Sequence, residues 1–172
     1  METRLFTTKI IAEASMIVAL STALSFLKVF AMPQGGSVTA GSMVPLLWIS
    51  ARRGVRVGLF TSTIYGLVQF AAGPFVVHPI QVLLDYPIAF GALGVMGLFM
   101  SHPLIGTGVG IGGRFMSHFL SGFIFFAAYT PEGMNPMLYS ALYNGGYLGG
   151  ELVVSLILMY IIVKKDLIRV FL

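Results

Sequence analysis

The stretch MLYSALYNGGYLGGELVVSLILMYIIV at positions 137–163, closed by Lys164 and Lys165, decides the fold. Glu151 is its one carboxylate, and the run exceeds the ~20 apolar residues that a bilayer-spanning helix needs. The rest of the chain is of the same kind. Of 172 residues, 57% are hydrophobic and 9% charged, and the mean hydropathy is +0.93. Such a composition belongs to an integral membrane protein and excludes functions that need a water-soluble catalytic domain. With no cysteine, the chain can form no disulfide, thiolate nucleophile or cysteine-ligated metal site.

Working outward from this last segment, apolar runs at 10–31, 43–51, 57–72, 80–100 and 111–129 precede it. Turn-forming or polar stretches separate them: Met32 to Thr39 with a proline and two glycines, Arg52 to Arg56, Gly73-Pro74, Ser101-His102-Pro103 and Thr130 to Pro136. The expectation is an all-α, polytopic membrane protein of six transmembrane helices in a single membrane domain over 1–172. The glycine-dense Gly106 to Gly113 is expected to be a flexible cytoplasmic lead-in to the fifth span. The first run is too long for the apolar core of a cleavable leader and contains Glu13 and Lys28, so the N-terminus is expected to be retained. No inverted repeat of the kind that builds many secondary transporters is visible.

The basic residues alternate from side to side. Arg4 and Lys9 precede the first run, Arg52, Arg53 and Arg56 lie between the second and third, and Lys164, Lys165 and Arg169 follow the last. The positive-inside rule then puts both termini in the cytoplasm and the connections at 30–40, 73–80 and 129–137 outside. A net charge of +4 distributed in this way is an orientation signal rather than a nucleic-acid surface.

An ionisable side chain inside a span costs at least about 2.5 kcal/mol on insertion scales, so each one needs a reason. Asp85 follows the start of the fourth run by little more than one turn, with Gln81 on the same helix face at i−4. His118 falls in the outer part of the fifth run, near Ser121, Gly122, Phe125 and Phe126. The first turns of the last run carry Tyr139, Tyr143, Asn144 and Tyr147, and Glu151 lies deeper. Three helices thus bring a carboxylate, an imidazole, an amide and several rings to one depth, as a small polar-aromatic ligand site requires. A negative charge among aromatic rings suits an organic cation. An anion would want Arg or Lys, and none is expected at that depth. Structural readings stand beside these: His118 as an interhelical bridge, Asp85 as a helix-start charge, Tyr139 as part of the interfacial aromatic belt. Glu151 stays open between ligand contact and interhelical pairing.

Other motifs carry less. Gly108, Gly110 and Gly113 match G-x-G-x-x-G without the strand and acidic residue that dinucleotide binding needs, and no G-x-x-x-x-G-K-[ST] is present. His78, His102 and His118 fall in three regions, which argues against a metal site. No nucleophile motif accompanies Asp85 and His118, so no enzyme and no cofactor are expected. Ser15, Ala19 and Ala23 form a small-xxx-small stripe on the first run, suited either to packing within the chain or to docking a partner helix.

Several strings together resemble the thiamine-specific substrate-binding (S) components of energy-coupling factor (ECF) transporters. These are MPQGGSVT at 32–39, RRGV at 52–55, HPIQVLLDYP at 78–87, RFMSHFLSG at 114–122 and YSALYN at 139–144. The resemblance covers essentially the whole chain. It implies a bacterial cell-membrane protein that binds thiamine and works with a transmembrane coupling subunit and two cytoplasmic ATPases. It also implies an acidic aminopyrimidine contact at Asp85, a histidine at His118, a stacking ring at Phe126, and Tyr139 and Asn144 in the last span. Tyr86 and Tyr143 join the candidate contacts. Gln34 stands in the first outer loop where the family can have tryptophan, which leaves the thiazolium contact unassigned. The small-residue stripe matches at Ser15 and Ala19. The rival reading is a self-sufficient secondary transporter for a small organic cation.

Overall fold

The computed structural model describes residues 6–168, so Arg4 and Arg169 of the charge pattern lie outside the described residues. Helix α1 (Thr8–Ser25) begins where the Thr7 side chain accepts a hydrogen bond from the Ile10 N–H. A short antiparallel hairpin follows, β1 (Lys28–Ala31) and β2 (Ser37–Thr39). Then come α2 (Val44–Arg53) and α3 (Val55–Ala72), separated by Gly54. Helix α4 spans Pro79–Leu98, α5 spans Pro103–Phe125 and α6 spans Pro136–Lys164. By length and composition α1, α3, α4 and α6 can each cross a membrane. The protein is an all-α membrane protein.

The packing has the polarity of a membrane fold. Side chains turned outward include Met16, Leu20, Leu67, Val153 and Ile157, whereas Ser21, Thr61, Ser62, Gln81, Glu151 and Ser155 are buried. Lipid takes the place of water outside, and polar groups are kept where other helices can reach them. An apolar cluster including Met43, Leu46, Leu47, Ile49, Leu93, Met96 and Met159 lies between α2, α4 and α6. Helices α3 and α4 approach closely at Gly94, where a Cβ would run into the backbone of Gly58 and Leu59.

Two segments differ from the sequence-based expectation. The run at 10–31 is not one helix: α1 closes with bonds from the Phe26 and Leu27 N–H groups to Ala23 and Leu24 O, and 28–31 is a strand. The turn that follows needs Gly35 at φ +94, a conformation unfavourable for other residues. The segment after it, α2, has ten residues, about 15 Å of helix, close in length to the short run expected at 43–51. It can be short because the chain dips inward first. Thr39 at the end of the hairpin is bonded to Glu151, midway along α6, so α2 starts well below the hairpin's outer end.

The other difference is the glycine-dense 106–113, which is ordered helix inside α5 rather than a flexible lead-in. Pro103 at the first turn starts the helix early. A Cβ at Gly106 would sit 2.9 Å from Met96 and Phe99, so the absent side chains let α5 close against α4.

Candidate ligand-binding site

Asp85 lies in an irregular part of α4. Residues Leu84–Ile88 form one π turn around Pro87, where the Ala89 N–H reaches back five residues to Leu84 O. Proline supplies no N–H, and the wider turn absorbs the missing bond. Leu84 O also accepts from Ser117 Oγ at 2.7 Å, which ties the turn to α5. The Asp85 carboxylate is held from both sides: Gln81 Nε2 donates to Oδ2 at 2.7 Å, and His118 Nδ1 is 2.9 Å from Oδ1. Arg114 Nε donates to His118 Nε2 at 3.3 Å. Since arginine can only donate, Nε2 carries the lone pair and the Nδ1–H points at Asp85. The sequence of donors therefore runs from Arg114 through His118 to Asp85.

This group walls a cavity of about 260 Å³ beneath the hairpin. Of the residues expected at a ligand site, Asp85, His118, Phe126, Tyr139, Asn144, Gln34, Tyr86 and Tyr143 all line it. They do so in different ways. The Tyr143 hydroxyl accepts from the Gln34 and Gly36 N–H groups at 3.1 and 3.4 Å and so fastens the hairpin turn over the opening. Gly36 leans so closely on Tyr147 that an added Cβ would meet the ring at 2.6 Å. The Tyr86 hydroxyl accepts from the Phe75 N–H at 2.9 Å. Phe126 stands with Phe75 at 5.6 Å and Tyr129 at 5.8 Å between ring centroids, an aromatic group on the opposite rim. Asn144 is engaged by the protein itself: its amide donates to Ser140 and to His118 O, and its oxygen accepts from the Tyr147 hydroxyl. It positions the wall of α5 and α6 more than it offers free groups to a ligand.

One expectation is overturned. No basic residue was expected at this depth, yet Arg114 lines the cavity, its guanidinium 4.1 Å over the Phe90 ring and Nη1 2.7 Å from Met43 Sδ. The cause is the early start of α5. With the helix beginning at Pro103, Arg114 sits about 16 Å along it rather than at its inner mouth. The cavity is therefore charge-mixed, with Asp85 and Glu151 joined by one half-buried arginine and Lys28 at the rim. Phe75 and Tyr65, also lining residues, were missed as well. Phe75 lies on a connection where no periodicity marks it, and Tyr65 reads as an ordinary core position of α3.

The stripe Ser15, Ala19 and Ala23 lies outside the buried face of α1, which is Ala14, Ile17 and Ser21. All three stripe residues are exposed and edge a groove with Thr61, Ile64 and Val68 of α3. The Ser15 hydroxyl is satisfied by Ile11 O at 2.9 Å, which leaves a smooth surface.

Comparison with known proteins follows the same line. Residues 11–170 match the family model described as thiamine transporter protein. This chain belongs to that family. The thiamine transporter ThiT of Bacillus subtilis (strain 168) is 35% identical over 145 residues, covering 74% of this chain and 75% of that protein. ThiT of Lacticaseibacillus paracasei is 26% identical over 161 residues, covering 80% and 78%. The solved structure of ThiT from Listeria monocytogenes superposes with a TM-score of 0.82 at 25% identity, covering 91% of this chain and 93% of that one. The hairpin, the π turn and the cavity described above are thus features of a member of the thiamine transporter family.

Proposed function

We propose that this chain captures thiamine at the outer face of a bacterial cell membrane and passes it on as the S component of an ECF-type transporter. The observation that carries the proposal is the cavity itself: Asp85 and His118 on one wall, Phe126 and Tyr139 on others, closed over by the hairpin, in a chain of the thiamine transporter family. A carboxylate oxygen has two lone pairs, so Asp85 can still accept from the exocyclic amine of the pyrimidine while bound to Gln81 and His118. The rings of Phe126, Phe75 and Tyr139 suit a heteroaromatic cation.

Partner and orientation are part of the same reading. No phosphate-binding loop occurs in these 172 residues, and in this reading ATP hydrolysis belongs to separate subunits. The exposed stripe of Ser15, Ala19 and Ala23 gives a coupling subunit's helix a place to approach closely, and lipid covers the remaining apolar surface. Arg53 pairs with Glu13 near the start of α1, and Arg52 Nη1 donates to Ile168 O beyond the end of α6. The basic ends of α1, α2 and α6 therefore share one end of the molecule, which the charge rule makes cytoplasmic. The cavity mouth then faces outward.

The test is transport by reconstituted protein. In vesicles without ATP, the chain alone should bind labelled thiamine and accumulate none. Uptake should require the coupling subunit, both ATPases and ATP. Accumulation by the chain alone, driven by an ion gradient, would establish a secondary transporter instead.

A further inference from the structure

Asp85 has both carboxylate oxygens occupied by its own chain, through Gln81 and His118. The second carboxylate of the cavity differs. Glu151 is 2% exposed and lines the cavity from α6. Its Oε1 accepts two hydrogen bonds from Thr39 in the hairpin, from N and from Oγ1, both at 2.7 Å. Its Oε2 is buried and has no hydrogen-bond partner among the described residues. An acceptor left without a partner in a buried site is costly, and such a group at a ligand cavity is satisfied most directly by the ligand.

We propose that Glu151 is a further ligand-binding and specificity-determining residue, whose Oε2 accepts a hydrogen bond from an uncharged N–H or O–H donor of the bound molecule while Oε1 holds the hairpin. The proposal rests on the thiamine reading, and thiamine has two such donors, the exocyclic amine and the terminal hydroxyl. One residue then fastens the cover and recognises the contents. Arg114 lies in the same cavity and offsets one of the two carboxylates, so Asp85, Glu151 and Arg114 together carry one formal negative charge for a cationic ligand to meet.

The experiment compares two variants with three ligands. Glu151→Gln keeps an oxygen for Thr39 but turns a donor-bearing amide toward the ligand. Thr39→Val removes the hydroxyl tie to Oε1 and leaves Oε2 unchanged. Affinities are measured by competition for thiamine, an analogue with an oxo group in place of the amine, and an analogue lacking the terminal hydroxyl. Glu151→Gln should weaken thiamine binding at least about tenfold. It should weaken one of the analogues less than about twofold, or strengthen it, because that analogue lacks the donor in question. Which analogue escapes tells which donor Oε2 meets. Thr39→Val should weaken all three ligands by one common factor. If Glu151→Gln also affects all three equally, or none, Glu151 is only a hairpin tie and the proposal fails. If Glu151→Gln does not fold, Glu151→Asp, which withdraws the carboxylate by one methylene, is read in the same way. Absence of thiamine binding by the unaltered protein would overturn the thiamine reading itself, a distinct result.

Discussion

His118 Nδ1 lies 2.9 Å from Asp85 Oδ1, so a histidine of α5 and a carboxylate of α4 form one wall of the cavity as a joined pair. Arg114 behind the ring fixes which nitrogen holds the proton. The pair explains how a carboxylate can be kept at this depth: it is held by Gln81 and His118 while its remaining lone pairs face the cavity.

Asp85→Asn should weaken thiamine binding by at least tenfold, about 1.4 kcal/mol, because a charge-assisted hydrogen bond becomes a neutral one. The amide would also present a donor to either Gln81 or His118, each of which donates to Asp85 now. Fluorescence titration of the purified variant measures this, and an unchanged dissociation constant would remove Asp85 from the site.

Much of this site could be read from the chain alone, and the reason is local. Gln81 and Asp85 are four apart on one helix, and the structure joins them at 2.7 Å even across the onset of the π turn. Tyr139, Tyr143 and Asn144 follow the same logic on the first turns of α6. Arg114 was illegible because its depth depends on where α5 starts, and eight closely spaced residues rich in glycine read as a loop until their packing against Met96 and Phe99 is seen. The hairpin was hidden for a related reason. Val29 and Phe30 look like the end of a membrane helix, and only their pairing with 37–39 makes them strand. The depth at which α2 starts follows from the Thr39–Glu151 contact, which no local pattern announces.

The orientation predicts a labelling pattern. Glu132→Cys, in the connection before α6, should react with an impermeant thiol reagent in intact cells, and Arg56→Cys, at the start of α3, should not. The reverse pattern would turn the cavity mouth toward the cytoplasm.

Docking and binding occupy different surfaces, and Ala19→Trp separates them. The indole would fill the exposed groove between α1 and α3 and keep a partner helix from close approach. Thiamine uptake by the full complex should be abolished, with affinity of the isolated variant within about twofold of the unaltered protein. Retained co-purification with the ATPase subunits alongside lost thiamine binding would sink the docking role.

Gly94→Val tests the packing of α3 on α4. Its Cβ would collide with the Gly58 and Leu59 backbone, which cannot rotate away as a side chain would. Overpacking of this kind costs about 1–3 kcal/mol or more. The variant should show a lower thermal unfolding temperature in detergent. An unchanged temperature would mean that the two helices are not held this close.

The most direct measurement is native mass spectrometry of the purified chain, without partner subunits, before and after addition of thiamine. The account predicts a mass shift equal to one thiamine per chain, and a smaller bound fraction for Asp85→Asn at a thiamine concentration near the dissociation constant of the unaltered chain. A chain that stays ligand-free at a large excess of thiamine, while remaining folded, would contradict it.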